Sequence, residues 1–134
     1  MQNETTHLNL RNKAKIPLVG YGTFLITDNE VIDAVSNALK VGYRHIDTAA
    51  VYQNESGVGA GIKKALSESD MSRQDLFITT KLWPGYAGWG EKSKNKTDTL
   101  IAFDESLKKL GLDYIDLYLI HSPHGGEERL HQWE

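Results

Sequence analysis

Apolar and polar positions along this chain switch between a two-residue and a helical period, which predicts alternating strands and helices. The segment His7 to Pro17 alternates around Arg11-Asn12-Lys13, as is typical of a short hairpin. A brief apolar strand follows at 18–23, and a helix then begins with Asp28 as its N-cap and ends at Gly42. The apolar residues on one face of that helix are Val31, Ile32, Val35, Ala38 and Leu39.

The order of strand and then helix repeats along the rest of the chain. Further strands are predicted at 43–47, 76–82 and 114–121, with one helix starting near Asn54 and another capped by Thr97 and stopped by Gly111. The inward positions of these two helices are Val58, Ile62, Ala65 and Leu66, and then Leu100, Phe103, Leu107 and Leu110. Short connections predict parallel strands joined by right-handed crossovers, the unit of an α/β barrel or a doubly wound sheet.

The final residues resemble the opening of another helix, with Leu130 and Trp133 three apart and no stop signal. A whole eight-stranded α/β barrel needs about 250 residues, so four strand–helix units correspond to about half of one. We find no domain boundary within 1–134. The prediction is therefore a TIM-barrel-type half after an N-terminal hairpin, in a chain that is truncated.

Composition restricts the classes of function. A net charge of -3 leaves no basic face for a nucleic-acid backbone, and the lack of cysteine leaves no disulfide or thiolate site. No apolar run approaches the ~20 residues that cross a bilayer. Because residues 1–10 also lack the charged and then apolar pattern of a signal peptide, we expect a cytoplasmic protein.

Candidate site residues recur where each predicted strand ends, which is the rim where α/β barrels assemble active sites. They are Gly22 and Thr23, then Asp47 and Tyr52, then Lys81, and then His121. Taken singly, an aspartate there is more often a helix cap or ion-pair partner, and a tyrosine in a loop usually packs. Residues two apart nevertheless share one face of a strand. Along such a face the side chains change from interior residues to a polar residue at the strand end, as in Phe77, Thr79 and Lys81.

Together these residues indicate a site that reduces a carbonyl group. Hydride delivery to the carbonyl carbon leaves negative charge on oxygen, which needs a proton donor and polarising hydrogen bonds. Tyr52 would be the donor, because a nearby ammonium favours loss of a phenolic proton. Lys81 would supply that ammonium, Asp47 would hold Lys81 through an ion pair, and His121 would orient the carbonyl.

Residues Gly42 to Gly59, which read GYRHIDTAAVYQNESGVG, resemble the first signature of the aldo-keto reductases. Lys81 in ITTKLW and His121 in DLYLIHSP are similar to later strand endings of that family. The resemblance implies an NADPH-dependent aldehyde or ketone reductase, with Tyr52 as proton donor. It implies a catalytic tetrad of Asp47, Tyr52, Lys81 and His121.

The same resemblance implies two sets of binding residues. Beside the nicotinamide it places Gly22, Thr23, Phe24 and Asp47. Against the substrate it places Phe24, Trp83, His121 and Ser122. Many family members have tryptophan at the positions of Phe24 and Ser122, so the carbonyl substrate stays open.

The family builds most of its cofactor clamp in its second half, which this sequence does not contain. We therefore expect the isolated chain to bind NADPH weakly or not at all and to show negligible aldehyde reduction. The alternative interpretation is a non-catalytic half-barrel module that self-associates through open sheet edges and binds no cofactor.

Several other residues receive structural interpretations. We expect His45 to be a satisfied core histidine, Arg44 a structural ion-pair partner and Trp89 a surface or packing residue, while Trp83 is balanced between packing and function. The glycine-rich stretch 56–61 lies within a helix pattern and does not match G-x-G-x-x-G, so a Rossmann site is disfavoured. A metal held by His121 and His124 with Asp47 or His45 matches no recognised ligand spacing, so we predict no metal.

Overall fold

An antiparallel hairpin opens the computed structural model, which describes residues 7–134; residues 1–6, part of the stretch predicted to lack a signal peptide, lie outside the described residues. Strand β1 (His7–Asn9) pairs with β2 (Lys15–Pro17). The turn closes through the Leu10 amide, which donates to the Ala14 carbonyl at 2.8 Å, and Lys13 adopts a left-handed φ of 67°. The predicted hairpin is confirmed.

Four parallel strands form one sheet in chain order and carry helices in the crossovers. The strands are β3 (Tyr21–Gly22), β4 (His45–Asp47), β5 (Phe77–Leu82) and β6 (Leu117–Ile120). The helices are α1 (Glu30–Lys40), α2 (Glu55–Ser67), α3 (Lys96–Leu110) and α4 (Glu128–Trp133). Single-turn 3₁₀ helices occupy Ala50–Tyr52, Arg73–Asp75, Ala87–Trp89 and Pro123–Gly125. This arrangement confirms the predicted partial barrel wall.

The strands are shorter than predicted, because residues next to the strand ends make hydrogen bonds to groups outside the strand ladders. The Tyr43 amide still closes the end of α1, donating to the Ala38 carbonyl at 3.0 Å. Before β6, the Asp116 amide donates to the Ile78 carbonyl at 3.1 Å, and the Ile78 amide donates to the Asp116 side chain at 2.8 Å instead of to the backbone.

Two helix caps differ from the prediction. Asp28 does not cap α1; its carboxylate accepts from the Gly57 amide in the first turn of α2 at 2.7 Å, so it caps the next helix across space. Helix α3 begins one residue before Thr97, and Asn95 caps it by accepting from the Asp98 amide at 2.9 Å. The stop at Gly111 is as predicted, with a left-handed φ of 63°.

The core lies between the sheet and helices α1 to α3, and it is centred on Val35, Leu39, Ile46, Ile62 and Ile78. Helix α2 packs closely because it is rich in glycine: a Cβ on Gly59 would lie 2.2 Å from the Leu110 carbonyl oxygen, and one on Gly61 would lie 2.7 Å from the Ile32 carbonyl oxygen. Close packing therefore explains the stretch 56–61.

The buried face of α3 is rotated from the predicted one. Leu110 is buried as predicted, but Leu100 is 59% exposed, and Thr99 and Ser106 are buried in addition. The rotation brings Ser106 to a buried carboxylate on α2, described below. Across residues 7–134, the helices fall short of the length and apolarity that a bilayer span requires.

Candidate active site

An ion pair between neighbouring strands forms the centre of the site. Asp47 ends β4 and Lys81 lies near the end of β5, and the Lys81 Nζ atom is 2.7 Å from Asp47 Oδ2. The same ammonium donates to the Thr48 carbonyl oxygen at 2.9 Å. The Lys81 side chain is 13% exposed and that of Asp47 is 35% exposed. The Lys81 ammonium is therefore bound by two acceptors at a position that is partly shielded from water. The structure contains the ion pair that the sequence predicts.

Tyr52 lies beside this ammonium, in the 3₁₀ turn that follows β4. Lys81 Nζ is 5.2 Å from the centre of the Tyr52 ring, within the range of a cation–π contact. The Tyr52 ring also packs on Phe24 with centroids 5.0 Å apart, and meets His121 edge to face at 5.5 Å. The four residues of the predicted tetrad are thus brought together at one rim of the sheet.

His121 follows β6 and is anchored by its backbone amide, which donates to the Leu82 carbonyl at 2.9 Å. Its Nδ1 atom is buried without a hydrogen-bond partner, and Nε2 makes no hydrogen bond within residues 7–134. Burial lowers the pKa of His121, and the nearby Lys81 charge lowers this pKa further, against an opposing effect of Asp47. The imidazole is therefore neutral at neutral pH, and one of its ring nitrogens carries a proton.

The residues predicted to face a nicotinamide form a shelf next to Asp47. Gly22 pairs with Asp47 across the sheet, and a Cβ there would meet nothing within 4 Å. Thr23 is fully buried, and its amide and hydroxyl both point to the Asp47 carbonyl oxygen, at 3.0 and 3.3 Å. Phe24 is 63% exposed and covers one side of Tyr52. The shelf offers bare backbone at Gly22 and an exposed ring at Phe24.

The residues predicted to face a substrate surround His121 from the other side. The half-buried Trp83 ring lies 5.9 Å from the His121 ring, edge to face, which favours the functional interpretation of Trp83. Trp89 is exposed and stacks on Trp83 with centroids 5.4 Å apart, in agreement with its packing interpretation. The Ser122 hydroxyl oxygen is buried without a partner.

Arg44 corrects one of the structural predictions and His45 agrees with the other. His45 Nε2 lies 3.0 Å from the Thr79 hydroxyl, and burial lowers the pKa of His45. Arg44 was expected in an ion pair, but its guanidinium donates to the Leu39 and Tyr43 carbonyls at 2.9 and 2.7 Å. It therefore binds the carbonyl end of α1, where helix carbonyls lack intrahelical donors.

Metal ligation finds no support at the predicted rim. In the part of the chain that the structure describes, no three or more histidine, aspartate or glutamate side chains are grouped to hold a metal ion. His124, one of the candidate metal ligands in the sequence, packs on Tyr86 with ring centroids 4.6 Å apart.

Two buried polar residues beneath Tyr52 were missed by sequence reasoning. Asn54 donates to the Thr23 and Ile26 carbonyls at 2.8 and 2.9 Å, and accepts from the Thr48 hydroxyl at 3.2 Å. Glu55, only 2% exposed, accepts from the Thr80 hydroxyl at 2.6 Å and from the Ser106 hydroxyl at 3.2 Å. We call the set Thr48, Asn54, Glu55, Thr80 and Ser106 the polar seam. At a predicted helix start such residues read as ordinary caps, and only their burial distinguishes them.

Comparison with known proteins agrees with this geometry. The sequence model of the Aldo/keto reductase family matches residues 18–134. The uncharacterized oxidoreductase YtbE of Bacillus subtilis is 48% identical over 128 residues, which cover 92% of this chain and 43% of that protein. D/L-glyceraldehyde reductase of Hypocrea jecorina is 50% identical over 117 residues, covering 87% of this chain and 33% of that protein.

Solved structures give the same result. The crystal structure of a Bombyx mori aldo-keto reductase in complex with NADP superposes with a TM-score of 0.84 at 40% identity, covering 96% of this chain and 44% of that one. The chain spans less than half the length of each of these proteins.

Proposed function

Since this chain belongs to the aldo/keto reductase family, we propose that it carries the acid–base residues of an NADPH-dependent reductase that converts a small aldehyde or ketone to an alcohol. The observation that carries the proposal is the Lys81 ammonium, 2.7 Å from the Asp47 carboxylate and 5.2 Å from the centre of the Tyr52 ring. A phenol, an ammonium and a carboxylate in this order supply a proton and stabilise the charge that its loss leaves behind.

In the proposed reaction Tyr52 donates its phenolic proton to the carbonyl oxygen of the substrate. The Lys81 ammonium stabilises the resulting phenolate, and Asp47 keeps that ammonium in place. His121, neutral because burial lowers its pKa, donates from Nε2 to the same carbonyl oxygen and orients it. Bound NADPH supplies the hydride that reduces the carbonyl carbon. The phenolate then regains a proton from solvent, so one hydride and one proton are consumed for each alcohol formed.

The shelf beside Asp47 suits the nicotinamide end of the cofactor. Bare backbone at Gly22 lets a flat ring approach, because a Cβ there would meet nothing within 4 Å. Gly22, Thr23, Phe24 and Asp47 would hold this end, with Thr23 acting through its hydrogen bonds to Asp47. The Bombyx mori protein was solved in complex with NADP, which supports the choice of cofactor.

The substrate is proposed to lie between Tyr52 and the aromatic side of the rim. Phe24, Trp83 and His121 would contact it, since their rings adjoin Tyr52 or each other. Ser122 follows His121 in the chain and is proposed as a fourth contact on the family resemblance, although its hydroxyl oxygen is buried. Glyceraldehyde is a suitable first probe, because a relative at 50% identity is named a D/L-glyceraldehyde reductase.

The test is NADPH oxidation in the presence of glyceraldehyde by a form of the protein that binds NADPH, with Tyr52→Phe compared to Tyr43→Phe. We expect Tyr52→Phe to lower kcat at least about a hundredfold, the usual contribution of a general acid, while NADPH affinity stays within about twofold. Tyr43 packs on Tyr21, away from the rim, and Tyr43→Phe should leave turnover unchanged. Full turnover by Tyr52→Phe would remove Tyr52 from the acid role.

Self-association is a second candidate, favoured by the sheet edges. Strands β3 and β6 are the outer strands of the parallel sheet, and no further strand pairs with either within residues 7–134. Parallel sheets are ordinarily covered, and open edges template pairing with another chain. Light scattering at micromolar concentration tests this candidate: oligomers without NADPH binding would support the non-catalytic module, and a monomer that reduces glyceraldehyde would exclude it.

A further inference from the structure

The loop after β5 holds the indole of Trp83 in one orientation. Glu91 Oε2 accepts from Trp83 Nε1 at 2.7 Å and also from the Tyr86 amide at 3.0 Å. The Lys94 ammonium donates to the Trp83 carbonyl oxygen at 2.8 Å. Trp83 is thereby bound at its ring nitrogen and at its backbone, although the surrounding loop is largely exposed.

The choice of acceptor decides which edge of the indole faces His121. An indole nitrogen can only donate, so turning the ring over would take Nε1 away from the carboxylate. A hydrogen bond to an ionised acceptor is also stronger than one to a neutral group. Within residues 7–134 no ion pair involves Glu91, so the groups of the protein that bind its carboxylate are the two N–H donors.

From this geometry we propose that Glu91 is a positioning residue that holds the Trp83 indole against His121 and so sets substrate affinity without touching the reacting atoms. The inference rests on the proposed function for its effect on catalysis. The structural part of the inference, that Glu91 holds the Trp83 indole in place, depends only on the contacts of Glu91. Trp89 stacks on the outer face of the Trp83 ring and covers that face on the solvent side.

The structural part is tested by NMR on the indole N–H protons, which are three in number because the chain has three tryptophans. Trp83→Phe identifies the Trp83 signal. Glu91→Ala should speed solvent exchange of the Trp83 indole proton about fivefold or more, since an exposed charge-assisted hydrogen bond is lost. Glu91→Gln retains a carbonyl acceptor and should restore most of the protection.

Glu105→Ala is the matched control, because Glu105 is an exposed glutamate on α3 that makes no hydrogen bond or ion pair within the described residues. It should leave the Trp83 proton unchanged. Unchanged exchange in Glu91→Ala, or equal changes in Glu91→Ala and Glu105→Ala, would overturn the inference.

The catalytic part is tested by glyceraldehyde kinetics. Glu91→Ala should raise KM about fivefold with kcat nearly unchanged, and Glu91→Gln should remain close to wild type, as expected for lost uniform binding. An equal fall in kcat and kcat/KM would contradict a positioning role. If a form of the protein that binds NADPH reduces no carbonyl compound, the proposed function fails, and the exchange measurement still decides whether Glu91 orients Trp83.

Discussion

The strand-end cluster and the polar seam beneath it use similar side chains in opposite ways. In the seam, Asn54 makes three hydrogen bonds and Glu55 makes two, and both residues are almost fully buried. In the cluster, defined as Asp47, Tyr52, Lys81 and His121, the Tyr52 hydroxyl and His121 Nε2 make no hydrogen bond within residues 7–134.

The difference separates polar groups that hold the fold from polar groups that are available to a ligand. A buried polar group that is fully paired stabilises one structure, and an unpaired group at an accessible rim retains its capacity to donate or accept. The seam flanks the Tyr52 turn in the chain, because Thr48 precedes that turn and Asn54 and Glu55 follow it. The hydrogen-bonded side chains of the seam therefore fix the backbone beside the Tyr52 turn. That turn presents the Tyr52 hydroxyl, which has no hydrogen-bond partner within residues 7–134.

The largest expected effect comes from breaking the cluster. Lys81→Met should lower kcat for glyceraldehyde by about a thousandfold, because the positive charge that stabilises the phenolate is lost. The free energy of unfolding should fall by less than about 1 kcal/mol, since the Asp47 side chain is 35% exposed and stays hydrated.

Steady-state kinetics and urea denaturation measure the two effects of Lys81→Met separately. Lys63→Met, at an exposed position on α2, is the control and should change neither quantity. A large loss of stability in Lys81→Met would place Lys81 with the structural residues.

Breaking the seam should have the reverse outcome. Asn54→Ala removes the partner of two buried carbonyls and one hydroxyl, so we expect the free energy of unfolding to fall by about 2 kcal/mol. At a temperature where the variant remains folded, kcat should stay within about threefold of wild type.

The measurement for Asn54→Ala is the urea midpoint, with Asn12→Ala in the exposed hairpin turn as control. Asn12→Ala should cost less than about 1 kcal/mol. Loss of turnover in a folded Asn54→Ala protein would show that the seam takes part in catalysis beyond supporting the Tyr52 turn.

The smallest expected effect is a decline in stability at mildly acidic pH. Burial is the main cause that lowers the pKa of both His45 and His121 below the ordinary value of 6.5. Below that pH the unfolded chain binds more protons than the folded one, so the free energy of unfolding should decrease as pH falls below about 6.5.

Denaturation midpoints between pH 7.5 and 5.5 test this expectation. His121→Asn should reduce the slope, whereas His131→Asn, at an exposed position on α4, should leave it as in wild type. A midpoint independent of pH across this range would contradict the lowered pKa values.

The order of elements and the meeting of the candidate site residues at one rim were both predictable from local sequence. Hydrophobic periods mark the helices and strands, and parallel strands joined by crossovers all end at the same rim, so Asp47, Lys81 and His121 had to meet there. The signature around Tyr52 also indicates the family. None of this depends on long-range side-chain packing.

Only the tertiary structure decided which polar residues are buried and what they bind. Asp28 caps α2 across space, Arg44 binds carbonyls at the end of α1, and Glu91 orients Trp83, because each partner lies on another element or across a loop. A periodic pattern records which face of an element is apolar, and it carries no information on the distance to a hydrogen-bond partner. That distance is set when the elements pack. In this protein packing gives the polar seam its hydrogen-bond partners and leaves polar groups of the strand-end cluster without them.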